Sequence, residues 1–356
     1  MPTTVGAGDP AAQPPAPRRR PRRPALPAVI VLVAVLLAAM VAATAIGSVP
    51  LSPGTVLGVL FDRLTRRPAA DPLADQIIWD IRFPRVLAGA LAGAGLAAAG
   101  VCLQALVRNP LADPYLLGVS SGASLGAVLM PVAAPAALAG LGVTGAAFGT
   151  ACLTVVVVFL LAQRGGRMAD RRLILAGVAV AYLANAVTSF VQLSIAPGQL
   201  QGIMFWLMGS LAGVQWTALA TMTPLVLSGI AVLLLSVRGL NGIAAGDDTA
   251  FGLGINVHWF RIRLLLAGSL LTAAVVSAAG GIGFVGLVIP HVARLLVGGD
   301  HRRLLPVALL LGAAFMVLVD LGARTLAAPS ELPIGIITAV VGAPYFLYLL
   351  RRKEIG

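Results

Sequence analysis

Apolar runs of about 20 residues recur along this chain from Leu26 almost to its C-terminus. An α-helix of that length crosses the ~30 Å hydrocarbon core of a bilayer and satisfies its own backbone hydrogen bonds there. The composition agrees, because 59% of the residues are hydrophobic and 11% are charged, whereas soluble domains carry roughly 25% charged residues. The sequence therefore predicts an all-α polytopic membrane protein whose spans form a single tightly packed bundle.

Polar, Pro and Gly breaks divide the apolar sequence into ten candidate spans. The eighth, GIGFVGLVIPHVARLLVG, is short and Gly-rich, so the sequence defines its geometry least. Gly89 and Gly93 recur at a spacing that lets helix backbones approach closely in lipid, as do Gly118, Gly122 and Gly126. We therefore predict one ten-span domain over residues 26–356. Its spans are expected near residues 26–47, 86–107, 117–135, 140–162, 173–195, 217–237, 262–279, 282–298, 304–323 and 333–350.

The N-terminal residues 1–25 are rich in Pro and Arg and carry too little apolar surface to form a core. They are predicted to be a disordered cytoplasmic tail. A signal peptide is the alternative, because Arg18 to Arg23 resemble its basic region and Ala43 to Ala45 resemble a cleavage site. The apolar run that follows is longer than the ~7–15 residues of a signal-peptide core, and further spans come after it, which favours the tail.

Basic residues lie mostly on one predicted side of the membrane. If the N-terminal tail is cytoplasmic, ten spans return the C-terminal RRKEIG to the same side, and all but six of the 25 Lys and Arg residues are then cytoplasmic. This bias is what the positive-inside rule predicts, and it accounts for the net charge of +12 without a nucleic-acid partner. Those predicted on the outer side are Arg63, Arg66, Arg67, Arg82, Arg85 and Arg324.

Several chemistries do not fit this sequence. The histidines, His258, His291 and His301, are scattered near predicted cytoplasmic span ends, so neither a metal site nor a catalytic cluster is predicted. The sole lysine, Lys353, lies in the C-terminal tail, which excludes a P-loop ATPase. Acidic residues fall in loops or near span ends, with Asp320 the most ambiguous, which disfavours an ion-coupled transporter. We predict no catalytic residue and no bound cofactor, and a separate source of energy for transport.

Several long motifs resemble the FecCD family of ABC-transporter permeases, in the order and spacing of that family. They are IRFPR, LVRNPLADPYLLGVSSGAS, FWLMGSL, GIGFVGLVIPHVARLLVGGDHRRLLP and ELPIGIITAVVGAPYFLYLL. The resemblance implies a multi-pass permease subunit in a bacterial plasma membrane, carrying a ferric siderophore or a similar metal chelate. A cobalamin or haem importer is the alternative within this class, and an ion-coupled secondary transporter is the alternative outside it.

The resemblance also implies partners. A second permease subunit, identical or not, would complete the pathway, and an extracytoplasmic binding protein would deliver the substrate. A cytoplasmic ATPase dimer would bind ATP and magnesium. It would dock on a coupling loop over about residues 238–260. Phe251 and Gly252 depart from the family pattern there, whereas the matching residues are Gly246, Asp247, Asp248, Ala250, Leu253 and Gly254.

Two further sets of site residues follow from the resemblance. Asn109 and Leu111 would form an inner gate, although Asn and Pro at this position also fit a simple helix-ending turn. Arg82, Arg85 and Arg324 would receive acidic residues of the binding protein, since arginine suits bidentate capture of carboxylates. The alternatives are an i,i+4 pair with Asp320 for Arg324, and pairing with Asp80 or a lipid phosphate for Arg82.

Overall fold

The computed structural model describes residues 25–69, 71–133, 142–164, 167–168 and 170–351. The predicted tail over residues 1–25 lies outside the described residues, except for Ala25, where the first helix begins. The helices are α1 Ala25–Ala45, α2 Pro53–Leu64, α3 Pro72–Gln76, α4 Phe83–Leu106, α5 Val119–Ala133, α6 Gly142–Ala162, α7 Asp170–Gln192, α8 Pro197–Leu207, α9 Trp216–Leu235, α10 Val237–Ala245, α11 Asp247–Gly252, α12 Val257–Ala279, α13 Val285–Val297, α14 His301–Thr325 and α15 Ile334–Arg351.

The all-α class is confirmed. Seven helical segments are long and apolar enough to cross a membrane, namely those containing α1, α4, α6, α7, α9, α12 and α14, and the shorter apolar helices α5, α13 and α15 complete the ten predicted spans. Strands within the described ranges are limited to β1 Gln163–Arg164 and β2 Arg167–Met168, which pair antiparallel between α6 and α7.

The second predicted span, near residues 86–107, forms the C-terminal part of a longer apolar helical segment that runs from Pro72 to Leu106. Residues Ile77–Arg82 form a π-helical turn between α3 and α4, in which the Phe83 N–H donates to the Ile78 carbonyl. Pro84 has no N–H to donate, and the wider turn just before it lets the helix continue through the proline. Arg82 and Arg85 therefore do not flank a free helix N-terminus.

Helix α4 is the central element of the bundle and packs against α14, α12, α13 and α9. Its Ala- and Gly-rich sequence is buried along most of its length. A Cβ atom on Gly93 would lie 2.0 Å from the Gly312 carbonyl oxygen of α14, so only glycine permits this crossing. Gly122 and Gly126 meet Thr154 and Thr150 of α6 in the same way, as the small-residue spacing predicts.

The chain between α12 and α13 is not helical. Within this segment, the Ile282 N–H donates to the Tyr115 hydroxyl. Phe284 takes a positive φ of 67° before α13 begins, and Gly342 of α15 packs against its ring. Non-helical backbone is tolerated at membrane depth where other protein elements bury it. This break explains the short and Gly-rich eighth span.

Helix α14 connects two opposite ends of the molecule. We call one the Arg85 end, where Arg82 contacts the last turn of α1 and Arg85 contacts Asp320 in the C-terminal part of α14. We call the other the Asp247 end, where α11 contacts the N-terminal part of α12 and α10 contacts the first turn of α14. These two ends carry all of the site residues predicted from the sequence.

Candidate functional site: two ends of the bundle

A buried ionic cluster forms at the Arg85 end. The Arg85 Nε donates to both oxygens of Asp320, at 2.9 and 3.1 Å. Its two terminal nitrogens donate to the two oxygens of Glu331, at 2.9 and 3.0 Å. Asp320 belongs to α14, whereas Glu331 belongs to the connection between α14 and α15. One guanidinium of α4 thus holds two carboxylates from two other parts of the chain.

The other two predicted docking arginines close the C-terminus of α1. Arg82 donates from Nη1 to the carbonyls of Thr44 and Ala45, both at 2.9 Å, and from Nη2 to Val49 at 2.6 Å. Arg324 donates to the Ala43 carbonyl at 2.7 Å. The last carbonyls of a helix have no intrahelical donor and carry partial negative charge, so cations are favourable there.

Arg324 also pairs with Asp320, its Nε lying 3.2 Å from Oδ2. This is the i,i+4 pair weighed as the alternative for Arg324. Arg82 binds backbone carbonyls, so the structure does not show the pairing with Asp80 that was its alternative. Gly47 lies against Arg82, and a Cβ atom there would be 2.6 Å from Nη2 and 2.8 Å from Cζ.

The structure therefore brings Arg82, Arg85 and Arg324 together, as predicted, but it also buries them. Arg82 is 5% exposed and Arg85 is 7% exposed. Glu331 is the exposed member of the cluster, with 41% of its side chain accessible, and sequence reasoning missed it. The sequence signal that could have identified Glu331 is its position in the ELP motif, at the start of the last predicted span. Capture of a partner's carboxylates by the three arginines stays a prediction.

The predicted gate residues lie in a compact turn at the Asp247 end. The Asn109 Oδ1 accepts the Leu111 N–H at 2.9 Å, and the Asn109 carbonyl accepts the Ala112 N–H at 3.1 Å. Asn109 is exposed and Leu111 is half-buried. The turn that was the alternative interpretation is present. The gating role stays a prediction.

Asp113 follows in the same loop and begins a short 3-10 turn over Pro114–Leu117. Its Oδ1 accepts the Tyr115 N–H at 2.8 Å. Burial raises the pKa of the Asp113 carboxyl to about 6, against the lowering effect of that hydrogen bond. Among the described residues, no Lys or Arg forms an ion pair with it.

The predicted coupling loop forms two short helices, α10 and α11. Gly246 joins them with a φ of 122°, a conformation that favours glycine. Asp247 accepts from Nη2 of the buried Arg261 at 3.1 and 3.2 Å. It also lies 3.8 Å from Nη1 of Arg108, which precedes the Asn109 turn. The coupling loop and the gate turn are therefore neighbours.

The tip of this loop is apolar and exposed. Phe251 is 78% exposed and Leu253 is 65% exposed, whereas Ala250 is fully buried beneath them. Asp248 is also exposed. Of the predicted coupling residues, Leu253, Asp248 and the partly exposed Asp247 are thus available to a partner, while Ala250 and the pair of Asp247 with Arg261 hold the loop in place. Phe251, which departs from the family pattern, is the most exposed apolar side chain of the loop.

An amide links the coupling loop to α14. Asn241 of α10 donates from Nδ2 to the Asp300 carboxylate at 2.8 Å, and its Oδ1 accepts the His301 N–H at 2.9 Å. Asp300 also caps α14 by accepting the Arg302 N–H at 3.1 Å. A displacement of α10 would therefore act directly on the first turn of α14, the helix that reaches Asp320 at the other end.

Comparisons with known proteins agree along most of the chain. The family model described as the FecCD transport family matches residues 33–352. The cobalamin import system permease protein BtuC of Halobacterium salinarum is 46% identical over 282 residues, which are 79% of this chain and 75% of that protein. The hemin transport system permease protein HmuU of Yersinia pestis is 42% identical, over 78% of this chain and 84% of that protein. A solved structure described as an inward-facing metal-chelate type ABC transporter matches with a TM-score of 0.78 and 35% identity, covering 91% of this chain and 98% of that one.

Proposed function

Because the chain belongs to the FecCD transport family, we propose that it is the membrane-spanning permease subunit of an ATP-binding-cassette importer. The observation that carries this proposal is the exposed apolar tip of the coupling loop, Phe251 and Leu253. Exposed aromatic and aliphatic side chains on a rigid, anchored loop are typical of a protein interface. The partner at this tip is a cytoplasmic ATPase dimer that binds ATP and magnesium.

The proposed orientation follows from charge. The Asp247 end carries the basic residues that the positive-inside rule assigns to the cytoplasm, including Arg261 and Arg263 at the start of α12. The Arg85 end then faces the extracytoplasmic side of a bacterial plasma membrane, and both chain termini are cytoplasmic. Labelling of Asp248→Cys by a membrane-impermeant maleimide tests this. The thiol should react in inside-out vesicles and stay unlabelled in intact cells.

The proposed substrate is a bulky metal chelate, with a ferric siderophore first and cobalamin or haem as the alternatives. The relatives named above are a cobalamin and a hemin permease, and the similar solved structure is of metal-chelate type. A second permease subunit completes the pathway, and Asn109 and Leu111 form its inner gate. The binding protein docks at the Arg85 end, over Arg82, Arg85 and Arg324.

Reconstitution tests the function directly. Liposomes containing the permease and its ATPase, supplied with the binding protein, should accumulate one labelled chelate only when ATP is present. Labelled ferric hydroxamate, cobalamin and haem, compared side by side, identify the substrate. Accumulation driven by a proton or sodium gradient without ATP would instead support the ion-coupled alternative and overturn the proposal.

A further inference from the structure

We propose that Glu331 is a built-in competitor of the binding protein, which occupies Arg85 in the free permease and gives way to a carboxylate of the docking partner. The inference rests on the proposed function, because it assumes that a binding protein docks at the Arg85 end. It goes beyond that function by assigning a role to a residue of this chain that opposes docking.

The two carboxylates on Arg85 are held very differently. Asp320 is 1% exposed and is gripped by both Arg85 and Arg324 within the regular helix α14. Glu331 is 41% exposed in its side chain and has Arg85 as its ion-pair partner. Asp320 is thus a fixed counter-charge, whereas Glu331 is reachable from outside the protein. We therefore place the approach of a second carboxylate on the side that the exposed Glu331 covers.

Replacing Glu331 by a partner's carboxylate leaves the chemistry of the site unchanged. Arg85 keeps two charge-assisted hydrogen bonds from Nη1 and Nη2, so no buried charge is left without a counter-charge. The released Glu331 moves into water, where its charge is well solvated. Exchange therefore avoids the penalty of opening a buried ion pair. Docking without exchange would leave the partner's carboxylate without the end-on pair of donors on Nη1 and Nη2 that Glu331 occupies.

The net positive charge of the cluster favours binding of an acidic partner. Three guanidinium groups, those of Arg82, Arg85 and Arg324, lie beside two carboxylates. The cluster is thus positive by one charge with Glu331 in place and by two charges when Glu331 leaves. A partner that supplies more than one carboxylate compensates this charge better than Glu331 does alone.

Release of Glu331 would also be transmitted along the chain. The next residue, Leu332, donates its N–H to the Ala323 carbonyl of α14 at 2.9 Å. Ile334 and Gly335 then donate to the carbonyls of Gly209 and Met208, at 2.9 and 3.0 Å, in the connection between α8 and α9. Glu331 thus stands at the start of a short segment that ties α14, α15 and that connection together. Exchange at Arg85 would loosen the segment at its first anchor.

Glu331→Gln tests the inference, because competition and a purely structural role predict opposite results. Loss of a competitor should raise the affinity for the binding protein of the proposed importer, by about tenfold if one charged contact on Arg85 is freed. Loss of a structural contact should lower the affinity. The measurement is binding of the chelate-loaded binding protein to the permease–ATPase complex in nanodiscs. Asp75→Asn is the matched control, since Asp75 pairs with Arg63 away from the cluster, and its affinity should equal that of the unmodified protein.

A second measurement needs no partner. Arg85 should react slowly with 1,2-cyclohexanedione in the unmodified permease and faster in Glu331→Gln, as read by mass spectrometry of the peptide that contains Arg85. Equal reaction rates, or unchanged or weaker binding by a folded Glu331→Gln complex, would overturn the inference. Failure of the unmodified complex to bind any binding protein or to transport any chelate would instead count against the proposed function.

Discussion

The two ends of the bundle engage their surroundings in opposite ways. At the Arg85 end, three guanidinium groups are turned inward and satisfied by the chain's own carboxylates and carbonyls. At the Asp247 end, Asp247 pairs with Arg261 but keeps 46% of its side chain accessible, and Phe251 and Leu253 project into solvent. One end hides its charges and the other exposes its apolar groups.

This difference determines what each partner can gain by binding. A partner at the Asp247 end adds burial of apolar surface, about 25 cal/mol for each Å² removed from water, and displaces only solvent. A partner at the Arg85 end must displace groups that are already bonded to the arginines. The net gain in binding free energy is therefore small and depends on the salt concentration. We therefore expect tight, salt-tolerant binding of the ATPase and weaker, salt-sensitive binding of the binding protein.

The largest expected effect comes from removing the fixed counter-charge of the Arg85 end. Asp320→Asn leaves Arg85 and Arg324 buried with a single exposed carboxylate between them, and breaking a buried pair in this way costs about 3–5 kcal/mol. We expect a large drop in the Tm of the detergent-solubilised protein and low yield in membranes. Glu331→Gln should change the Tm far less. Equal Tm values for the two variants would show that the carboxylates are not held differently.

The second prediction concerns the exposed tip of the Asp247 end. Phe251→Asp combined with Leu253→Glu should weaken association with the ATPase at least about 30-fold, since central apolar contacts at interfaces contribute ~2 kcal/mol or more. The Tm of the isolated permease should not change, because both side chains are exposed. Co-purification and light scattering give the association, and thermal unfolding gives the Tm.

Two neighbouring positions serve as controls for the tip. Thr249→Asp adds a charge to an exposed position of the same loop and should leave association largely intact. Ala250→Asp places a carboxylate at a fully buried position and should destabilise the loop itself. Normal ATPase association by the Phe251 and Leu253 double variant would mean that the exposed tip is not the contact. Asp247→Arg is a poorer test, because it would set a second cation beside Arg261.

The sequence predicted the spans well because lipid imposes their length and composition. Each of the ten predicted apolar runs corresponds to a helix, and the Gly-rich eighth run begins within the break at residues 280–284. The helical residues before the second span were not predicted, because Pro84 is a helix-start signal when only neighbouring residues are considered. A π-helical turn compensates for its missing N–H, and that turn depends on the tertiary packing of residues 77–82 rather than on a local signal.

The site was predicted only as a set of residues. The pairs of Arg85 with Asp320 and with Glu331 join residues 235 and 246 positions apart, so no local pattern contains them. Burial of the arginines depends on α1 and α14 meeting beside α4, which composition does not specify. Phe251 was set aside as a departure from the family pattern, because its exposure can be judged only once Ala250 and Asp247 are seen to hold the loop.

A medium-sized effect is expected from a glycine at the Arg85 end. Gly47→Ala places a Cβ atom 2.6 Å from the Arg82 Nη2, so the guanidinium must move away from the α1 carbonyls. We expect a loss of about 1–2 kcal/mol in the free energy of unfolding, the size of a lost charged hydrogen bond.

Gly58→Ala is the matched control, because no neighbour lies within 4 Å of a Cβ atom there. That change should be neutral or slightly stabilising in helix α2. Similar Tm values for the two variants would mean that Arg82 does not close α1.

The smallest effect is expected at Asp113. Unlike Asp320 and Glu331, this carboxylate forms no ion pair with a guanidinium among the described residues. Burial raises the pKa of Asp113 to about 6, above the ~3.9 of an unfolded chain. The folded state therefore binds the proton more tightly, and this carboxyl makes the free energy of unfolding fall as the pH rises from about 4 to about 6, with no further change above that.

Asp113→Asn keeps an oxygen that can accept the Tyr115 N–H but has no charge to bury. The variant should thus match the unmodified protein near pH 4 and exceed its Tm by a few °C at pH 7.5. Thermal unfolding of both proteins at pH 4, 5, 6 and 7.5 measures this difference. A constant difference across that range would mean that Asp113 is ionised at the same cost as in water, and that the Asp247 end does not hold a carboxylate without a counter-charge.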